Sequence, residues 1–281
     1  MSAHLTIDIY SDVMCPWCLI GWGQLSKALA ELDGEIAADI RWRPFELNPD
    51  MPQAGEEQEA HLQRKYGRPA EEGARIRGQM KAIAESAGVS LSYEGADEAP
   101  PAMMWNTRDC HKLLTFALEE AGPAVQTKLK LALFRAHFNR RANLSDRALL
   151  LDIAAEAGLH REAAKAALDD RELEARVIAE EQQAWDYNIT GVPAMIVAPG
   201  DVSGSAPDCP PSTSTTLPCA SCKLWLMSFN CTLAVATLTS ANTGSTAAAN
   251  VTATPRDDER TDSRHLRTMA PNSPRRMGVS T

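Results

Sequence analysis

Two cysteines near the start of the chain, Cys15 and Cys18, are separated by Pro16 and Trp17. A Cys-x-x-Cys pair that follows a strand and opens a helix is typical of thiol–disulfide redox sites. The same spacing can supply half of a zinc site, which needs a second pair of ligands. That spacing recurs only at Cys219–Cys222, far away in a segment of different composition. The pair therefore predicts redox chemistry and no bound metal.

The residues on both sides of the pair predict the strand and the helix that position it. Leu5–Tyr10 alternates apolar and polar side chains, as a half-buried strand does. Leucines then recur at roughly helical spacing until Asp33 and Gly34, where a helix should end. Cys15 is then the N-cap of this helix. Pro16 is its first residue, where a missing N–H has no cost.

The start of a helix predicts different roles for the two cysteines. Because its free N–H groups and dipole stabilise an anion, the pKa of Cys15 is expected to fall below the value of about 8.5 for a free thiol. Cys15 would attack a substrate sulfur, and Cys18, one turn inside the helix, would resolve the mixed disulfide. Trp17 puts no cation between them and could contribute to a hydrophobic docking surface. Asp12 is interpreted as a loop cap, with a proton relay as the alternative.

Further along, the chain changes from strand patterns to helical patterns and back. Ile36–Leu47 contains a second strand pattern, and residues 56–187 are rich in Ala, Leu, Glu and Arg, with helix breaks such as Gly122-Pro123. Gly191-Val192-Pro193 then introduces the apolar run Ala194–Ala198, a predicted buried strand. A proline directly before such a strand marks an entry turn.

Beyond Gly200 the composition is dominated by Ser, Thr, Ala, Pro and Asn, without helical periodicity. We interpret residues 201–281 as a low-complexity, disordered tail, in which only Leu224–Leu238 could form strands. Cys219–Cys222 is then incidental, and deletion of residues 208–281 should leave the melting temperature nearly unchanged.

The composition restricts the partners and the compartment. A net charge of −9 and a pI near 5.2 argue against nucleic acid or an anionic membrane as the main partner. No targeting signal precedes the first strand pattern, and no apolar stretch is long enough to span a bilayer. Only three of the seven cysteines precede residue 200. These features favour a cytoplasmic protein with a catalytic thiol pair.

Four segments together resemble the DsbA family of the thioredoxin superfamily, specifically its FrnE-like branch, which neighbours the 2-hydroxychromene-2-carboxylate isomerases. The resemblance covers roughly residues 4–199. The matching segments are Ser11–Gly21, Phe45–Pro49, Asn106-Thr107 with His111, and Gly191–Ala194.

This resemblance implies an α/β protein with a thioredoxin-like fold and an inserted helical domain. The thioredoxin-like part would comprise residues 1–55 and 188–200, and the insertion residues 56–187. Because the match fails after about Val197, the closing strand and helix of the family are expected to be lost or divergent. The resemblance also implies a cis peptide bond at Val192-Pro193, whose loop would lie beside the cysteines and offer backbone groups to a substrate.

The predicted function is that of a cytosolic thiol–disulfide oxidoreductase acting on protein or small-molecule disulfides. It needs no metal or organic cofactor, although glutathione could serve as its redox partner. One alternative is a glutathione-dependent isomerase of the 2-hydroxychromene-2-carboxylate type, against which the presence of Cys18 argues. Another is a chaperone-like binding protein, whose function should survive the loss of both cysteines. The oligomeric state stays open.

Overall fold

The computed structural model describes residues 3–67, 70–199 and 235–237. A strand, a helix and a strand come first in this part of the chain, helices dominate its middle, and two strands come last. In chain order the elements are β1 Ala3–Ser11, α1 Pro16–Glu31, β2 Ile36–Pro44, β3 Glu56–Glu57, α2 Gln58–Tyr66, α3 Ala70–Ser86, β4 Met103–Met104, α4 Arg108–Phe138, α5 Arg147–Ala157, α6 Arg161–Asp169, α7 Arg171–Asp186, β5 Ala194–Pro199 and β6 Val235–Thr237.

The main sheet has the strand order β2-β1-β5-β6, with β1 parallel to β2 and antiparallel to β5. The predicted alternation of β1 is confirmed, since Leu5, Ile7 and Ile9 are buried while Thr6 and Asp8 are partly exposed. Because β1 is an inner strand of the sheet, the turn that follows it lies near the middle of one end of the sheet, away from the edge strands. Cys15 begins α1 in this turn.

A hydrophobic core joins the sheet to α1 and to the second half of α4. Side chains from all of these elements are packed together in it: Ile7, Ile9, Leu19, Leu25, Trp42, Phe134 and Phe138. The helical elements form a second core of their own, made by apolar residues of α4, α5 and α6: Leu113, Leu129, Leu133, Leu150 and Leu168. Helix α4 contributes to both cores and therefore connects the helical part to the sheet.

Helix α4 contains the break that Gly122-Pro123 predicts. Gly122 has φ 82°, a conformation that a side chain rarely adopts, and Pro123 follows it. Asp146 caps α5 by accepting a hydrogen bond from the Ala148 N–H at 2.9 Å. No helix in the described ranges has the combination of length and apolar character needed to cross a membrane.

The short antiparallel pair of β3 and β4 was not expected within the helical stretch. Each strand has two residues, Glu56–Glu57 and Met103–Met104. A two-residue strand has no periodicity that a sequence could reveal, and its partner lies far away along the chain. Sequence patterns therefore do not predict this pair.

Strand β6 pairs with the edge of β5 that faces away from β1. It lies within Leu224–Leu238, the run that was predicted to be able to form strands. It pairs with Met195–Val197 in parallel orientation, whereas an edge strand joined by a hairpin would be antiparallel. The closing strand is therefore divergent, and in the described chain it is represented by three residues. The expectations for a closing helix, for Cys219–Cys222 and for a disordered tail concern residues outside the described ranges.

Candidate active site

The two cysteines lie in the tight turn between β1 and α1. Cys15 is the N-cap of α1 and Pro16 follows at its first turn, as predicted. The Cys15 N–H donates to the Asp12 carbonyl oxygen at 3.2 Å, and the Cys18 N–H donates to the Cys15 carbonyl oxygen at 3.1 Å. Both cysteines are free, with exposed fractions of 4% and 1% respectively. The pair is thus a reduced dithiol that is nearly closed to solvent.

The loop before β5 is packed against this dithiol. The Val192-Pro193 peptide bond is cis, as predicted, and Cys15 Sγ lies 3.7 Å from the Val192 carbonyl oxygen. Gly21 makes the approach of the loop possible, because a Cβ atom there would lie 3.0 Å from Pro193 Cγ. The fold therefore joins two predicted site segments that are 177 positions apart.

Trp17 and Pro16, between the cysteines, are half-buried. The Trp17 ring packs against the apolar core beneath α1 and against a second apolar cluster that contains Ile20 and Ala84. Part of the ring stays accessible, so the structure is compatible with a docking role for Trp17.

Asp12 holds the turn in place. Its carboxylate accepts hydrogen bonds from the Met14 N–H at 3.2 Å and from the Leu47 N–H at 2.8 Å. The first bond closes the loop before Cys15, and the second ties that loop to the segment after β2. This geometry is that of the predicted loop cap. Burial raises the pKa of the Asp12 carboxyl group, and the Leu47 N–H lowers it by a smaller amount.

Cys110 and His111 are both buried, close to Asp12. The Cys110 thiol donates to the Leu144 carbonyl oxygen at 3.7 Å, and burial raises the pKa of this thiol, as is typical of a packed structural cysteine. His111 Nε2 lies 3.9 Å from Asp12 Oδ1, and burial lowers the pKa of His111 well below the ordinary range. His111 is thus a buried ring whose neutral form is favoured.

The pKa values of the dithiol differ from the expectation for Cys15. The pKa of Cys15 is raised, first by its hydrogen bond to Cys18 and then by burial. The pKa of Cys18 is lowered: burial opposes ionisation, but the hydrogen bond from Cys15 and the charge of Lys130 outweigh it. The prediction of a lowered Cys15 pKa was wrong because it considered only the helix start. No side-chain hydrogen bond to the helix start is made by Cys15.

Lys130 is the part of this site that sequence reasoning missed. It lies in α4, far from the cysteines in sequence, and its side chain is fully buried beside Ser11. Only a weak sequence pattern indicates that Lys130 is buried. It lies one helical turn before Phe134 and one turn after Gln126, and both of these neighbours are buried. A lysine in a helix is usually solvent-exposed, so the pattern by itself does not favour a buried site.

The geometry supports reversible formation of a disulfide between Cys15 and Cys18. The two sulfurs interact directly, the pKa of Cys18 is lowered, and the Val192 carbonyl oxygen faces Cys15. Thiolate character is what thiol–disulfide exchange requires.

Comparison with known proteins finds a matching family model and a related sequence. The family model described as DSBA-like thioredoxin domain matches residues 6–208. A Bacillus subtilis protein, the uncharacterized protein YwbO, is 26% identical over 209 residues, which cover 73% of this chain and 92% of that protein.

Solved structures show the same fold. The probable DsbA oxidoreductase SCO1869 from Streptomyces coelicolor is 29% identical, with a TM-score of 0.61, over 69% of this chain and 80% of the other. A putative protein disulfide isomerase from Nitrosomonas europaea is 17% identical, with a TM-score of 0.50, over 73% of this chain and 92% of the other. The architecture is therefore a DSBA-like thioredoxin fold of mixed α/β content.

Proposed function

Because the chain belongs to the family of DSBA-like thioredoxin domains, we propose that it is a thiol–disulfide oxidoreductase whose reactive groups are Cys15 and Cys18. The observation that carries the proposal is the buried pair of cysteines at the start of α1, with Cys15 Sγ 3.7 Å from the Val192 carbonyl oxygen. Pro16 and Asp12 lie in the turn that holds the pair, and the half-buried Trp17 lies between the two cysteines in sequence.

The first step is attack by Cys15 on a substrate disulfide. The proton that Cys15 shares with Cys18 moves to the Cys18 sulfur, which leaves the negative charge on Cys15. Cys15 is assigned as the nucleophile because it is the less buried of the two sulfurs and faces the loop at Val192. A bond forms between the Cys15 sulfur and one substrate sulfur, the substrate S–S bond breaks, and the other substrate sulfur leaves as a thiolate.

The second step releases the substrate. Cys18 gives its proton to the departing thiolate and attacks the Cys15 sulfur of the mixed disulfide. A Cys15–Cys18 disulfide forms, and the second substrate sulfur leaves and takes a proton from solvent. Two electrons have then passed from the dithiol to the substrate, and the oxidising direction is the reverse sequence.

The segment Val192-Pro193 is proposed as the place where the substrate chain binds. The backbone of Val192 faces the reactive sulfur, and Val192 and Pro193 are both partly exposed. An extended substrate could bind the backbone of this loop, with Trp17 as an apolar contact at its side. Suitable substrates are disulfides of proteins or of small molecules, with glutathione as a redox partner.

The cytoplasm is the proposed compartment. Within the described residues Cys110 is a buried thiol without a disulfide partner, and the remaining two cysteines are the reactive pair. A protein adapted to an oxidising compartment usually pairs its structural cysteines. Cell fractionation with an antibody against the chain tests this assignment.

The two cysteines can be tested separately by trapping. Cys18→Ser should accumulate mixed disulfides with a glutathione or peptide disulfide, because the resolving sulfur is absent. Cys15→Ser should accumulate few, because the sulfur beside Val192 is absent. Intact-mass spectrometry measures both, with Cys110→Ser as the matched control that should behave like wild type. Equal trapping at both positions would contradict the assigned roles.

The same variants separate the alternatives. An isomerase with one nucleophile should retain activity without Cys18, whereas disulfide exchange should fall by several orders of magnitude. A chaperone-like function should survive replacement of both cysteines, which suppression of aggregation of an unfolded protein would detect.

A further inference from the structure

Lys130 carries a positive charge in an unusual place. Among the described residues it is one of the largest fully buried side chains, with an exposed fraction of 0%. Its Nζ donates to the Ser11 carbonyl oxygen at 3.1 Å and lies 5.3 Å from the centre of the Trp42 ring and 5.0 Å from that of Phe134. Within the described chain, no carboxylate lies within 4.0 Å of it.

Such a charge is expensive to bury unless a nearby group compensates it. One carbonyl oxygen and two aromatic faces provide part of this compensation. The other groups that could compensate the charge of Lys130 lie in the active-site turn, which starts at Ser11. Ser11 is the last residue of β1, and the carbonyl of the next residue, Asp12, accepts the Cys15 N–H. The ammonium group is therefore anchored at the first residue of the turn that holds the dithiol.

The electrostatic interactions agree with this placement. Burial lowers the pKa of Lys130 to about 8, while the negative charges of Cys18 and then Asp12 raise it. The other titratable groups that face this region are Cys15 on α1, and Cys110 and His111 on the first half of α4. Of all these groups, Cys18 has the strongest charge interaction with Lys130.

We propose that Lys130 is a positioning residue for the dithiol, whose buried positive charge stabilises the thiolate of the reduced pair and thereby makes the disulfide more oxidising. The inference rests on the proposed redox function and adds to it a role for the helical insertion, residues 56–187. The insertion then supplies the charge that controls the reactivity of cysteines held by the thioredoxin-like part.

The direction of the effect follows from charge. The reduced, ionised dithiol is negative and gains from a nearby cation, whereas the disulfide is neutral and gains nothing. Removing the cation should raise the pKa of the thiolate and shift the equilibrium with glutathione toward the protein disulfide. A pKa rise of one unit corresponds to a change of about tenfold in the ionisation constant.

The test uses the full chain with Lys130→Met, which keeps the approximate length of the side chain without its charge. Thiolate absorbance near 240 nm as a function of pH reports the pKa, and equilibration with reduced and oxidised glutathione reports the redox equilibrium. We expect the pKa to rise by at least one unit and the fraction of protein disulfide at a given glutathione ratio to increase. The equilibrium constant should change about tenfold or more.

Lys112→Met is a matched control. Lys112 is another buried lysine on α4, but its Nζ donates to the Leu168 carbonyl oxygen at 2.7 Å and lies 3.7 Å from Glu174 Oε2. Its loss should disturb packing of the helical part without moving the thiolate pKa or the redox equilibrium. Lys130→Gln, which is uncharged but can still donate to Ser11, should behave as Lys130→Met does.

A measurement on the wild-type chain covers the case in which the variants do not fold. Oxidation to the disulfide should lower the pKa of the Lys130 ammonium group, measured by NMR at its Cε, because its anionic neighbour disappears. If the wild type forms no reversible disulfide with glutathione, the proposed function is wrong. If the disulfide forms but both readings of Lys130→Met equal those of Lys112→Met, or if the Lys130 pKa is the same in the two redox forms, the inference about Lys130 is wrong.

Discussion

At the level of single residues, the contact between the two sulfurs, their burial and a buried positive charge decide the chemistry of this site more than the helix-start position does. Cys15 has the helix-start position that should favour a thiolate, yet its pKa is raised because it donates to Cys18 and is shielded from water. Cys18 is still more buried, but its pKa is lowered by Cys15 and Lys130. The two thiols therefore ionise as a coupled pair. The position of the proton between the two sulfurs determines which of them can attack.

Burial of a titratable side chain also predicts how stability depends on pH. The pKa of His137, in the second half of α4, is lowered to about 4, first by burial and then by Arg141. Between about pH 6.5 and pH 4 the unfolded chain binds a proton at this ring and the folded chain does not. Above about pH 6.5 this ring therefore does not reduce the free energy of unfolding. As the pH falls toward 4, the free energy of unfolding decreases by up to about 3 kcal/mol.

His137→Phe should reduce this loss of stability in acid. Urea unfolding at pH 7 and at pH 4.5 measures the difference in the free energy of unfolding between the two pH values. The exposed His160, whose ring is in water in both states, provides the control His160→Gln, which should leave that difference as it is in the wild type. An identical difference in His137→Phe and wild type would contradict the prediction.

At the level of elements, a side chain of helix α4 makes hydrogen bonds to the main sheet that a further strand could otherwise make. Strand β2 is at the edge, and the amide of Gln126 on α4 pairs with the backbone of Trp42. The Trp42 N–H donates to Gln126 Oε1 at 2.8 Å, and Gln126 Nε2 donates to the Trp42 carbonyl oxygen at 2.8 Å. Gln126 is fully buried, so no water is available to replace these bonds. The side chain satisfies one residue of an otherwise unpaired edge.

Gln126→Leu should therefore destabilise the fold strongly. It leaves the N–H and carbonyl groups of Trp42 buried without partners, each at a cost of about 1–3 kcal/mol. We expect a loss of about 2–5 kcal/mol in the free energy of unfolding, measured by urea denaturation. The exposed Gln182, which bonds Asp186 on the same helix, gives the control Gln182→Leu, expected to change stability by less than about 0.5 kcal/mol. A loss equal to that of the control would show that the Trp42 groups find other partners.

At the level of the whole molecule, the sheet continues beyond the part of the chain in which family patterns are visible. Strand β6 covers the backbone of Met195–Val197 at the outer edge of β5. An uncovered edge would expose unpaired N–H and carbonyl groups and favour pairing between copies of the chain. This strand changes the expectation that the chain beyond residue 207 can be removed without effect.

Two truncations distinguish these possibilities. Deletion of residues 208–281 removes β6 and should lower stability by about 1–2 kcal/mol, the value of a few hydrogen bonds. This corresponds to roughly 2–4 °C in melting temperature for each kcal/mol. Deletion of residues 240–281 retains β6 and should leave the melting temperature unchanged, as calorimetry can measure. Equal melting temperatures for both truncations would show that β6 contributes nothing to stability.

The sequence by itself determined the local features of this protein. The strand of alternating residues before Cys15, Pro16 at the helix start, the break at Gly122 and the resemblance to DsbA-like proteins were all predicted, and all are confirmed. These features depend on the backbone preferences of neighbouring residues or on motifs whose spacing is read directly. The placement of Val192 beside Cys15 followed from the resemblance, and no local pattern required it.

Only the tertiary structure decided the electrostatics of the site. The ionisation of the dithiol depends on how deeply both sulfurs are buried and on the charge of Lys130, which arrives from a helix more than a hundred residues later. Coulomb interactions and desolvation act through space and vary with distance and dielectric environment. A sequence contains the residues that take part in them, but not the distances between them. For that reason the cysteines could be identified from the sequence, whereas the group proposed to control their reactivity could not.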